Sequence, residues 1–158
     1  STDDGQVGDW SQYMDLVVVG YGRSSRASVN GGIGMQFNSD TASNYPIQWF
    51  WGDGASAAAS TASYTYAAFG DWPAASVTDA NTFGSSVAHL FDINSGKHKS
   101  VINRSCGDRS GGGYVELNAS TWKSQAAITE IDFIDTSGAD FKAGSRIDLF
   151  GVLPRMVA

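Results

Sequence analysis

The sequence predicts an all-β protein of antiparallel strands, arranged as a sandwich or a barrel. Roughly eight to ten short segments alternate or run apolar at strand length, with turn chemistry about every dozen residues. No stretch sustains the helical period of about 3.6 residues. Composition agrees: of 158 residues 19 are Gly, aromatics reach 12% and charged residues only 16%. That mixture suits turn-rich strands better than a helical bundle. A chain of this length is expected to form one domain whose core needs no disulfides.

Residues 1–12 read as a flexible polar arm and residues 13–158 as the domain. Met14 to Tyr21, centred on Leu16-Val17-Val18-Val19, is a continuous apolar run, expected to be a central strand covered on both faces. Gly20 to Ser28 is a connection carrying Arg23 and Arg26. Val29 to Phe37 alternates, with Ile33, Met35 and Phe37 on one side, and its glycines predict a bulge or a close backbone approach. After a loop, Tyr45 to Trp51 is a strand with Tyr45, Ile47, Trp49 and Trp51 on one face, and Pro46 suggests a sheet edge. The small-residue stretch 52–63 lacks an apolar stripe and is expected to be an exposed loop. Tyr64 to Phe69 reads as a strand, and Gly70 to Phe83 as connection with Trp72-Pro73 extended.

Val87 to Ile93 places Val87, His89, Phe91 and Ile93 on one face of a further strand. Lys99 to Cys106 is the next, and Tyr114 to Leu117 a short one after a glycine-rich loop. The last two strands are the best patterned. In Ala127 to Ile134, Ile131 and Phe133 oppose Glu130 and Asp132, and before Val152 Ile147 and Leu149 alternate with Arg146, Asp148 and Phe150. Turn residues between them predict a closing hairpin with Ile131, Phe133, Ile147 and Leu149 buried together.

Charge and motifs exclude more than they suggest. A net charge of −6 argues against a nucleic-acid partner. No apolar run approaches the roughly 20 residues of a membrane span, and no leader pattern opens the chain. Ser1 is read as left by removal of an initiator Met, and the single Cys106 fits a reducing cytosol. Asp92-Ile93-Asn94-Ser95-Gly96 opens like a calcium loop, but Asn103 stands where the chelating Glu belongs. His89, His98 and Cys106 lack zinc-ligand spacing, and neither a nucleophile elbow nor a phosphate loop is present. Glu130, Asp132, Asp135 and Asp140 read as a solvated strand face and turn acids in preference to a glycosidase pair. The sequence therefore predicts no catalytic residue, no metal and no cofactor.

Two features stand above background. Aromatics crowd the span from Tyr45 to Trp72; alternating Tyr45, Trp49 and Trp51 read as core, and Phe50 as an off-face residue for a subunit interface or a sugar platform. His89 reads as a hydrogen-bonded core residue, one that would titrate near neutral pH at an interface.

Taken in order, several landmarks together resemble a family of small structural proteins of tailed bacteriophages. They are Asp15 to Val19 with Arg23-Ser24, Gln36 to Asp40 with Asn44-Tyr45, and Asn81 to Ser85. Trp122-Lys123-Ser124 with Ala127 to Ile131, and then Phe141 to Val152, complete the set, so the resemblance spans nearly the whole chain. Ser39 stands where a Gly is usual in this family and Phe150 where a Tyr is usual. The resemblance implies a jelly-roll β-sandwich in the virion, without enzymatic activity. Such proteins are capsid decoration (cement) proteins or tail and fibre components; without a coiled-coil or repeat shaft, decoration of the outer head surface is expected. The alternative is a tail-fibre or tail-tip receptor-binding domain, or a carbohydrate-binding sandwich.

On this reading the protein is made in the host cytoplasm and binds the major capsid protein as a homo-oligomer, a trimer by expectation. Thr2, Asp3, Asp4, Val7 and Trp10 are the expected shell contacts. Phe50, Tyr64, Tyr66 and Trp72 are the expected contacts between subunits.

Overall fold

A computed structural model describes residues 6, 7 and 9–154. The described chain contains strands and no helix: β1 (Gln6–Val7), β2 (Asp15–Gly22), β3 (Asn30–Phe37), β4 (Tyr45–Gly52), β5 (Ala57–Tyr64), β6 (Ala67–Pro73), β7 (Gly84–Phe91), β8 (Lys99–Asp108), β9 (Gly113–Trp122), β10 (Glu130–Asp135) and β11 (Arg146–Val152). Two antiparallel sheets pack as the expected β-sandwich. One has the order β1-β10-β3-β6, the other β11-β2-β7-β8-β9-β4-β5. The chain crosses to the small sheet and back at β3, β6 and β10, while β7, β8 and β9 follow one another as a meander.

The core lies where alternation along both sheets points inward. Leu16 and Val18 from β2, Ile33, Met35 and Phe37 from β3, Ala88 and Leu90 from β7, and Ile131 from β10 are all buried. Phe37, Tyr45 and Trp122 form one aromatic knot, with Phe37 edge-on to Trp122 at 5.6 Å. Phe69, Trp72, Phe133 and Phe141 form another. Buried Arg23 holds the long connection before β7 by donating to the carbonyls of Val77, Asp79 and Thr82 at 2.8, 2.5 and 3.1 Å. The bulge anticipated from the β3 glycines occurs opposite Ile33 and Gly34, where Ile33 faces Gly70 and Gly34 faces Ala68. Phe69 is thus the extra residue of β6, and Gly70 takes a φ of +107°.

Several elements differ from expectation. The two last strands do not pair: β10 lies in the small sheet against β3, and β11 edges the large sheet against β2. Ile131 is buried, Phe133 and Ile147 pack on the core from the side, and Leu149 is exposed. The stretch 52–63 is not all loop, because residues 57–64 form β5 along β4. An edge strand with one partner and two open sides needs no apolar alternation, so the Ala/Ser run carries no sequence signal. Pro46 does not mark a sheet edge; it precedes Ile47, where pairing with β9 begins. In β2, Leu16 and Val18 are buried while Val17 and Val19 are only half-buried, so one face alone is core. β9 runs ten residues, further than its glycine-rich start suggested.

Candidate functional site

The larger sheet is three strands wider than the smaller, roughly 14 Å at 4.8 Å per strand. β6, the edge of the small sheet, overlies β8 and β9, and the inner face of β4 and β5 extends beyond it. This overhang leaves a cleft of about 340 Å³ between the sheets. Trp49 and Trp51 of β4 and Tyr64 of β5 line one side; Tyr66, Asp71 and Gly32 line the other; Tyr114, Glu116 and Asn118 of β9 form the floor, and Arg109 reaches in from the β8–β9 turn. Trp49 and Trp51, expected in the core, are half-buried cleft residues. Trp49, Tyr64 and Tyr66 form a continuous aromatic run, with centroid separations of 5.6 and 5.1 Å. Gly34 makes room for it: a Cβ there would lie 2.7 Å from the Tyr66 ring.

The inner faces of β8 and β9 beneath β6 are polar, and the backbone explains why. An edge strand leaves donors and acceptors unpaired on one side, and burial makes that costly. Asn103 donates to the Phe69 carbonyl at 2.8 Å, and the Ala68 N–H donates to Ser120 Oγ at 3.2 Å. The Asp71 N–H donates to Glu116 Oε2 at 3.1 Å, which also accepts from Ser105 at 3.0 Å. Side chains of the large sheet thus take the place of a neighbouring strand along the β6 bulge.

Asp71 accepts from Asn30 and pairs with Arg109 at 3.2 Å, and the Arg109 guanidinium lies 3.8 Å from the centroid of the Tyr114 ring. Burial pushes the Asp71 carboxyl above the usual range, against the pull of Asn30 and Arg109. Burial, then the neighbouring Asp71 charge, raises Glu116 likewise. Burial above all raises the Tyr114 phenol. Among the described residues three buried polar atoms lack a hydrogen-bond partner: Arg109 Nε, Tyr114 Oη and Asn118 Oδ1. The Arg109 guanidinium beside the Tyr114 phenol pulls against that rise. All three residues line the cleft.

Part of the outer face of the large sheet is apolar. Ile102 of β8, Val115 and Leu117 of β9 and Phe50 of β4 point to solvent, Phe50 at 55% exposure. In register, Leu117 lies opposite Phe50, which lies opposite Ala59 of the bare edge strand β5. His89 also sits on this face, not in the core: it bonds Asp15 at 3.0 Å and stacks on exposed Phe91. The core side of β7 is Ser86, Ala88 and Leu90.

The expected site residues distribute unevenly. Phe50 is exposed on the outer face, while Tyr64 and Tyr66 belong to the cleft. Trp72 is corrected: at 0% exposure it is core, its indole donating to Ser86 at 2.9 Å, and no subunit can touch it. Trp10 packs against its own core instead of standing free, and its carbonyl accepts from Tyr13 and Asn94. The backbone of Val7 pairs with Glu130 in β1–β10, so part of the arm is tied to the sheet. Thr2, Asp3 and Asp4 lie outside the described residues. Asp135, taken as a turn acid, is buried and accepts from Ser24 and Ser137. Sequence reasoning missed Asp71, Glu116, Asn118 and Arg109; the one available signal was a charged or amide residue on the face of β9 that also carries Tyr114 and Trp122. Among the described residues no three His, Cys, Asp or Glu side chains gather as metal ligands. Comparison with known protein families, curated proteins and solved structures finds no match.

Proposed function

We propose that this protein is a structural component of a bacteriophage virion, a decoration protein that self-associates and clamps the outer surface of the head. The observation that carries the reading is the apolar outer face around Phe50, Leu117 and Ile102, continuous with the uncharged edge strand β5. Contiguous exposed apolar surface marks an interaction site, and an open edge strand offers backbone groups to a neighbour. The resemblance of the ordered landmarks to phage structural proteins supports the same reading. A cement protein works by mass action: it binds the assembled lattice better than free subunits and so stabilises the shell. Residues Thr2, Asp3 and Asp4, ahead of the tethered β1, are the shell-contact candidates, and an oligomer adds their weak contacts through effective concentration.

The test is light scattering after size exclusion, followed by mixing with undecorated heads. The full chain is expected to form an oligomer, a trimer in this proposal, and to bind heads. Phe50→Asp is expected to release monomers whose melting temperature matches that of the parent. Deleting residues 1–5, which leaves β1 intact, is expected to weaken head binding. A monomeric parent that ignores heads and labels tail tips or host cells overturns the proposal.

A further inference from the structure

We propose that the cleft between the sheets binds a neutral, hydroxyl-rich saccharide of one or two rings. This goes beyond the virion reading and stands or falls independently of it, since the cleft is on the inner face of β4, β5 and β9 and the proposed docking surface on the outer face.

Folding leaves polar atoms of the cleft residues unanswered. Buried polar groups in folded proteins are almost always hydrogen-bonded. Asn118 is only 1% exposed; its Nδ2 is used on Asn103 at 2.5 Å, yet its Oδ1 has no partner and the residue lines the cleft. Arg109 Nε and Tyr114 Oη are in the same position. Residues that carry an acceptor, a donor and a hydroxyl capable of both roles thus line one cleft, the complement of a group such as a sugar hydroxyl that both gives and receives.

The second observation is the apolar wall. Trp49, Trp51 and Tyr64 are half-buried rings facing the polar floor. A sugar ring has an apolar face of C–H groups and an equator of hydroxyls, so one ligand can satisfy both the wall and the floor. The volume of 340 Å³ is at the small end of ligand pockets, about 300–1,000 Å³, which limits the ligand to one or two rings.

Charge selects among aromatic-stacking ligands. Asp71 and Glu116 oppose a phosphate, sulfate or uronate. Arg109, the one cation among the described residues of the lining, is already paired with Asp71 and laid on Tyr114. A nucleotide therefore fits poorly and a neutral glycan well.

The experiment uses the full chain with a broad glycan array and, in solution, maltose, cellobiose, N,N′-diacetylchitobiose and adenosine. Binding is read by tryptophan fluorescence and by the indole N–H signals in nitrogen-15 NMR spectra. One neutral saccharide is expected to shift the Trp49 and Trp51 indole signals while those of buried Trp72 and Trp122 stay in place. Trp51→Ala is expected to weaken that binding about tenfold or more, and Phe50→Ala to leave it unchanged. If Trp51→Ala fails to fold, the indole shifts in the unmodified protein decide the matter. No response to any neutral glycan overturns the proposal. So does a response to adenosine or charged glycans alone, or binding that survives in folded Trp51→Ala.

Discussion

Replacing Trp72 by Phe tests whether this residue is core or interface. Its ring is fully buried, edge-on to Phe69 at 6.0 Å and tilted against Phe141 at 5.6 Å. The ring lies so close to β2 that a Cβ on Gly22 would come within 2.2 Å of it. Phe fills only part of this slot, and the flanking glycine backbone of a paired strand has little freedom to collapse into the rest. Truncating a buried Trp to Ala costs about 3–5 kcal/mol; a change to Phe retains one ring and removes somewhat less than half of that. The lost indole donor leaves Ser86 Oγ without its 2.9 Å bond, which adds about 1 kcal/mol. The expected loss is about 2–3 kcal/mol, or roughly 4–12 °C in melting temperature for a chain of this size. Urea denaturation followed by far-ultraviolet circular dichroism measures it, and the oligomeric mass is expected not to change. Trp72→Phe with Ser86→Ala is expected to recover about 1 kcal/mol as a coupling energy, because the orphaned hydroxyl is gone. A loss below 1 kcal/mol accompanied by a fall in oligomeric mass would return Trp72 to the subunit interface and refute the reasoning.

Three further outcomes follow from the same geometry. Glu116→Gln is expected to melt higher than the parent at neutral pH. Burial and Asp71 raise the folded carboxyl, so ionisation destabilises the fold increasingly as pH climbs from the ordinary glutamate value of about 4.3 to the raised one; melting curves from pH 3 to 8 should show the gap close at the acid end. Ile131→Ala is expected to cost about 2–5 kcal/mol and Leu149→Ala less than about 1, because β10 faces the core and the Leu149 side chain is at the exposed sheet edge; equal losses in urea melts would restore the paired hairpin. Gly70→Ala is expected to destabilise by more than about 1 kcal/mol, since the +107° φ disfavours a side chain and a Cβ would meet Ser105 Oγ at 2.2 Å; a neutral result in the same assay would remove the bulge from the account.

Strand identity was readable where inward alternation was strong, as in β3 with Ile33, Met35 and Phe37, and in β10 with Ile131. It failed at β5, whose alanines and serines touch no core and therefore had no pattern to show. Polarity misled at β7, where Val87, His89 and Phe91 alternate cleanly yet face outward, because Ser86, Ala88 and Leu90 fill the narrower space under the small sheet. The cleft was nearly invisible for a related reason. Asp71 is 38 residues from Arg109 and 45 from Glu116, and only the β6 edge crossing β9 brings it to them.

Period-two patterning, frequent turns and missing helical periodicity were enough to specify antiparallel strands, because those properties depend on neighbours within a few residues. Which strands share a sheet, which face of each is inside, and where the wider sheet overhangs the narrower depend on contacts between residues dozens of positions apart. β10 and β11 show the difference: ten residues of turn and loop between Asp135 and Arg146 permit either a hairpin or a passage to the opposite sheet. The open backbone of β2 on one side and of β3 on the other chose the passage, since each offered a full ladder of hydrogen bonds to a strand already aligned.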